Sequence, residues 1–342
     1  MSLMAEVDTN WHYRGLQVVR LQNELICVDV LPEVGAKIYN FVHRPSGRNL
    51  LWHNPGIHPA KQTFGGVFDD NWSGGWDELI PNDVPCPEPE GDLLPDHGEV
   101  WSQGAKWEVL QSGGTCAEVR FTTRTRVVPV LFEKTLTVRE GESFCRVHYR
   151  VTNLSPARYD FLWNIHPAMA ISPDTWLDVP AKGGFTDPWR EARFPGYGRF
   201  EWPTIKDRRG NPCDLRRVEP ASTALADHHY LTGVTEGWYA VTDRRQQVGF
   251  GLVFPVKVFP NVWLFRTFGG WRGLYTLILE ASTGCSRSLA EAREKGQCAQ
   301  LAPGQALEVE VLAVAYSGLR SVARIEADGR VIPGPCHYSQ QK

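Results

Sequence analysis

The stretch 116-CAEVRFTTRTRVVPVLFEKTLTVREGESFCRVHYRVT-152 decides the fold class. From Cys116 to Val127, Val119, Phe121, Thr123 and Thr125 point one way and Arg120, Thr122, Arg124 and Arg126 the other. After a break at Pro129, Glu133, Thr135, Thr137 and Arg139 make the polar face of a run from Phe132 to Arg139. The turn Glu140-Gly141-Glu142 leads into Phe144 to Thr152, where Cys145, Val147, Tyr149 and Val151 alternate with Arg146, His148, Arg150 and Thr152. Side chains on a strand alternate between its two faces, so three period-two runs joined by short turns read as an antiparallel meander with one face buried.

The same signal recurs at Gln17–Val30, Trp238–Thr242, Val248–Phe254, Trp263–Phe268, Tyr275–Glu280 and Leu307–Tyr316. Only Leu289 to Lys295 reads as a helix: Ser288 caps it, Glu291 stands at the capping-box spacing, and Gly296 ends it. With no alternation of strands and long helices, a doubly wound sheet is excluded. The expectation is an all-β protein, a large antiparallel β-sandwich with few short helices, as one domain over residues 1–342 with its core at about 15–317. The Gly-, Pro- and Arg-rich stretch Asp178 to Asp214 reads as long loops at one edge.

Composition narrows the function. Of the 342 residues 42% are hydrophobic and 22% charged, which excludes general disorder. A net charge of −3 gives no electrostatic footprint for nucleic acid or an anionic membrane surface, and no apolar run is long enough to span a bilayer. The residues MSLMAEVDTNWHY have no basic head before an apolar stretch, and the eight cysteines form no C-x-x-C pair, so reduced thiols in the cytoplasm are expected. There are 13 Trp against 10 Tyr; an indole serves as core or lid, and also stacks on the apolar face of a sugar ring.

Five segments set titratable groups among aromatics and glycines. In Gly74-Gly75-Trp76-Asp77-Glu78, the two carboxylates are adjacent and so point to opposite faces of a strand, which argues against a cooperating pair. In Asp96-His97-Gly98-Glu99-Val100-Trp101, Gly98 leaves room for close approach and carboxylates flank the imidazole. His166 lies inside the apolar run Trp163-Asn164-Ile165-His166-Pro167, and Glu280 ends the branched run Leu277-Ile278-Leu279; both read either as satisfied core groups or as titrating groups with perturbed pKa values. Asp227-His228-His229 invites a metal, but no third ligand stands at useful spacing.

Taken in order from roughly residue 15 to 317, these segments resemble the galactose mutarotase-like superfamily of aldose 1-epimerases and hexose-phosphate mutarotases. His166 in Trp-Asn-Ile-His-Pro matches the position of the family's acid, Glu280 on a late strand that of its base, and Asp227 before Tyr230 its substrate-binding aspartate. Leu301-Ala302-Pro303-Gly304-Gln305 is similar to the closing turn before the last strand. Where phosphate-sugar relatives place an arginine after His-Gly stands Trp101, which favours a neutral sugar. The resemblance implies acid/base ring opening of an aldose by Glu280 and His166, with His97 bonding the same region. Asp77, Glu78, Asn164 and Asp227 would hold hydroxyls, and Trp76, Trp101 and Trp163 would offer stacking faces. No metal or organic cofactor is needed, the partner is a small-molecule sugar, and the expected assembly is a monomer or homodimer. Two other readings stay open: a sugar binder without turnover, and a glycoside hydrolase or lyase pairing Asp77 or Glu78 with Glu280.

Overall fold

A computed structural model describes residues 4–88, 91–190 and 193–335. The meander forms as the alternation predicts. Strands Cys116–Arg124, Val130–Arg139 and Phe144–Asn153 pair antiparallel, with Phe121 opposite Lys134 and Val147 opposite Leu136. They sit in an eight-stranded sheet that runs, edge to edge, through Thr175–Asp178, Trp238–Asp243, Val248–Val253, Ala306–Ser317, Phe144–Asn153, Val130–Arg139, Cys116–Arg124 and Lys106–Gln111.

The second sheet, of 14 strands, begins at Glu6–Tyr13 and continues through Leu16–Gln22, Ile26–Leu31 and Lys37–His43. Its centre is Trp76–Leu79, Asn164–Met169, Tyr275–Ser282, Asn261–Phe268 and Leu225–Thr232, in that order. The two sheets pack face to face: Phe41 meets Phe250 edge-on at 5.5 Å between ring centroids, and Phe132 meets Trp163 at 5.8 Å. The chain is therefore an all-β sandwich with two short α-helices among the described residues, Phe68–Asn71 and Leu289–Glu294. The second helix carries its cap, Ser288 accepting from the Glu291 amide, and ends before Gly296 at φ 64°. No helix of the described residues is long and apolar enough to cross a membrane.

Three sequence expectations change. The run Gln17–Val30 is two strands, Leu16–Gln22 and Ile26–Leu31, because Asn23 turns the chain and its side-chain oxygen accepts from the Leu25 and Ile26 amides. Asp178 to Asp214 is not only loop. Gly183–Thr186, Arg199–Glu201, Thr204–Lys206 and Pro212–Asp214 extend the large sheet beyond Leu225–Thr232, in pieces too short to show a period. A hairpin of Val322–Ile325 and Val331–Pro333 also packs beyond residue 317, its Val322 and Ile325 buried against Trp238 and Leu312.

One polar group joins the sheets. Lys134 falls on the inner face of its strand and is almost fully buried, its ammonium 3.0 Å from the Glu78 carboxylate. The Tyr149 hydroxyl donates to Glu78 at 2.5 Å and the Trp163 indole N–H at 3.2 Å. A buried ion pair with its remaining acceptors filled holds register between layers, and removing one partner leaves an uncompensated charge.

Candidate active site

The outer face of the large sheet carries a cleft of about 490 Å³, and strand register explains which residues reach it. Ile165 stands opposite Ala281 and Ala168 opposite Ile278, which sets His166 opposite Glu280 on the neighbouring strand. Asp77 stands opposite His166 on the other side, and Trp263 opposite Glu280. Directly opposed residues share a face with Cβ atoms about 4.5–5.5 Å apart. His166 and Glu280 are thus neighbours on the cleft floor, and Trp263, Phe265, Ile278 and His228 complete it.

Both floor groups are buried and incompletely bonded. Glu280 Oε2 and His166 Nδ1 have no hydrogen-bond partner within the protein. Burial, reinforced by the charge of Asp83, pushes the Glu280 carboxyl up to about 8, against the pull of His97 and a hydrogen bond from Asn164. Burial, reinforced by the His97 charge, pushes the His166 imidazole down to about 3. The shifts oppose each other because burial penalises the charged form of each group.

One wall comes from loops. His97 adopts a left-handed backbone at φ 57°, and Gly98 follows at φ 78° with its Cα packed on Ile80, where a Cβ would lie 2.1 Å from a carbonyl oxygen. This turn lays the imidazole flat on Phe68, 4.2 Å between centroids, with Nδ1 bonded to Asp96 at 2.8 Å and Nε2 3.3 Å from Asp83. Burial works against protonation of His97, but Asp83, Asp96 and Asp69 outweigh it and raise its pKa. Asp83 is in turn gripped by Arg287 at 2.5 Å, and although burial opposes ionisation, Arg287 and His97 hold its carboxyl below the usual range. Aromatic rings close the remaining sides: Phe68, Trp72, Trp271 and Trp189, the last from the turn Pro188–Arg190.

Of the residues singled out from sequence, Glu280, His166 and His97 line this cleft, and Asn164 sits just behind Glu280, accepting from the Ser282 hydroxyl at 2.5 Å. The others do not reach it. Asp77 is buried beside Lys37, 3.0 Å away, with burial raising its pKa. Trp76, Glu78 and Trp163 face the opposite way, into the sandwich, because they alternate with Asp77 and with Asn164. Trp101 stands behind Phe68, edge-on at 5.0 Å, its indole N–H bonded to the Asp96 carbonyl. Asp227 lies on the inner face, bonded by Arg266 at 2.7 and 2.8 Å and by His229 at 3.0 Å. Neither Asp77, held by Lys37, nor the inward-facing Glu78 lines the cleft beside Glu280. Alternation also splits the two histidines, leaving His228 in the cleft and His229 beneath it; among the described residues no three metal-ligating side chains converge.

Solved structures share this architecture. A proposed aldose 1-epimerase from Klebsiella pneumoniae matches at TM-score 0.68 and 12% identity, covering 91% of this chain and 83% of its own. This is the galactose mutarotase-like fold. A galactose mutarotase-like protein from Lactobacillus casei matches at TM-score 0.63 and 14% identity, over 87% of this chain and 100% of that one. Another, from Clostridium acetobutylicum, gives 0.63 and 10%, over 92% and 99%. No family model matches the sequence, and no curated protein matches it. At such identities the likeness speaks for the fold, and the β-supersandwich that the sequence resemblance implied is the one observed.

The cleft residues that sequence reasoning missed are Phe68, Asp69, Trp72, Asp83, Trp189, Trp271 and Arg287, together with Trp263, Phe265 and Ile278 on strands. The first seven lie in turns, short helices or loops, where no periodicity points to a face, whereas the last three share strand parity with Glu280 or its cross-strand partners. His228 had a usable signal, since it shares parity with Tyr230 rather than with Asp227.

Proposed function

We propose that the cleft binds a neutral aldose and interconverts its α and β anomers by acid/base ring opening. The observation that carries this reading is that Glu280 and His166 stand side by side on a buried cleft floor, each keeping an unpartnered polar atom.

Ring opening at an acetal carbon needs a proton taken from the anomeric hydroxyl and one given to the ring oxygen, then the reverse after rotation about the first carbon–carbon bond. Both oxygens are attached to the same carbon, so acid and base must be close neighbours. With apparent values of about 3 and about 8, the Glu280–His166 pair holds a single proton over the intervening range. Over that range Glu280 carries the titrating proton and His166 is neutral, so Glu280 starts as the donor and His166 as the acceptor, the reverse of the roles the sequence resemblance implies. A pair with one proton offers one donor and one acceptor, which is what each half-reaction requires, and the roles exchange when the ring recloses. His97, whose pKa Asp83 and Asp96 raise against the effect of burial, supports negative charge developing on the sugar oxygens from the adjacent wall. Trp72, Trp263 and Trp271 supply apolar faces for the ring. The residues in the cleft require no metal or organic cofactor for this chemistry.

Saturation-transfer NMR on a panel of aldoses tests the reading. Acceleration of anomer exchange by the wild-type protein is expected; saturable binding without acceleration contradicts it and leaves a sugar binder.

A further inference from the structure

Trp189 and Arg287 stand at the border of the cleft. These two residues also line a second, larger groove of about 1700 Å³ on the same outer face. Its floor continues the register row that holds the floor pair: Glu280 is opposite Trp263, Trp263 opposite Tyr230, and Tyr230 opposite Phe185. The groove is thus built by the short strands Gly183–Thr186 and Arg199–Glu201, the edge extension of the sheet. The cleft is closed on most sides by aromatic rings and admits one small ligand unit at most. The adjoining groove is the larger and more polar of the two and leaves room beyond the cleft for a further unit.

The lining chemistry says what fits there. Tyr197 is 65% exposed, a large ring left in water at the rim of the groove. The charges are largely spent within the protein: Lys295 pairs with Glu291, Arg287 with Asp83, and Asp187 accepts from the Tyr230 hydroxyl. Among the described residues Arg199 keeps a guanidinium without a counter-ion, next to Tyr197 in the lining. A mostly neutralised groove with an exposed ring and planar donors suits a neutral, hydroxyl-rich chain better than a phosphorylated one, for which several free cations would be expected.

We propose that the substrate is a reducing oligosaccharide, its terminal aldose over Glu280 and His166 and the next sugar in the groove against Tyr197 and Arg199. This rests on the anomer-exchange reading of the cleft and extends it to the length of the substrate.

Anomer exchange and saturation-transfer binding are measured together for glucose, mannose and xylose, and for maltose, cellobiose, lactose, mannobiose and xylobiose. The expected result is a disaccharide with a kcat/KM about tenfold or more above that of its own reducing aldose, the size of one good contact in transition-state binding. That ratio should collapse toward one in Tyr197→Ala and in Arg199→Ala. Equal values for an aldose and its disaccharides, or a ratio that persists in both variants, overturns the inference and leaves anomer exchange standing. Disaccharide binding that weakens in Tyr197→Ala without exchange of any sugar supports the groove and removes the exchange reading. Neither binding nor exchange across the panel removes both.

Discussion

Glu78 and Glu280 are two buried glutamates in one sheet, separated by the single strand Asn164–Met169 and facing opposite sides. Glu78 points inward and is met by an ammonium, a hydroxyl and an indole N–H. Glu280 points outward, keeps Oε2 unpartnered, and has its pKa lifted by burial to about 8. Burial is common to both, so burial does not mark a functional carboxylate. The difference lies in whether the surrounding structure supplies partners: where it does, the charge ties two layers together, and where it does not, the group is left to titrate into a cavity.

The contrast breaks if the two residues respond alike to substitution. The largest effect is expected for Glu280→Gln, which should keep the native circular dichroism spectrum and lose anomer exchange by about 10²–10⁴-fold, as should His166→Asn. Exchange at the wild-type rate in either variant would remove the assignment. Next, Lys134→Ala should cost about 3–5 kcal/mol in urea unfolding, because it strands the Glu78 charge between the sheets. The double change Glu78→Gln with Lys134→Met should recover most of that loss, and a single-variant cost below about 1 kcal/mol would show the pin is idle.

The pH dependence sharpens the comparison. The folded Glu280 pKa is raised to about 8 from 4.5, so between those values the native state binds the extra proton and stability falls as pH rises. Integrated over that window, the loss amounts to at most about 5 kcal/mol, and it should disappear in Glu280→Gln. Activity should also decline above about pH 8, where the Glu280–His166 pair loses its one proton. The smallest effect concerns the cleft wall. Asp83→Asn removes the strongest charge raising the His97 pKa and should lower the His97 midpoint in a proton NMR titration; an unchanged midpoint would show that Asp83 does not act on the imidazole.

Period-two reading went far where strands are long. It placed the meander, set Asp77 and Glu78 on opposite faces, and put His166 and Glu280 in strands that register joins. Applied one step further, the same parity would have sent Trp76 and Trp163 inward with Glu78, since each is two residues from an inward position. Amino-acid identity was the weaker guide: an indole or an aspartate such as Asp227 carries no direction of its own. The cleft wall was illegible for a different reason. Asp83 and Arg287 are bonded across 204 positions of sequence, and Phe68 reaches His97 through the Asp96 carboxylate that accepts its amide, contacts that no local pattern encodes. The strands at Gly183–Thr186 and Arg199–Glu201 escaped because three or four residues amid Gly and Pro show no alternation.

The most direct test is a carbon-13 NMR titration of the Glu280 side-chain carboxyl in the unliganded protein, assigned by its disappearance in Glu280→Gln. A midpoint near 8 is expected for a carboxyl buried at the cleft floor with one oxygen unpartnered and no counter-ion among the described residues. A midpoint at or below the ordinary 4.5 would mean that Glu280 is solvated or paired like Glu78, and the division between the two faces would not hold.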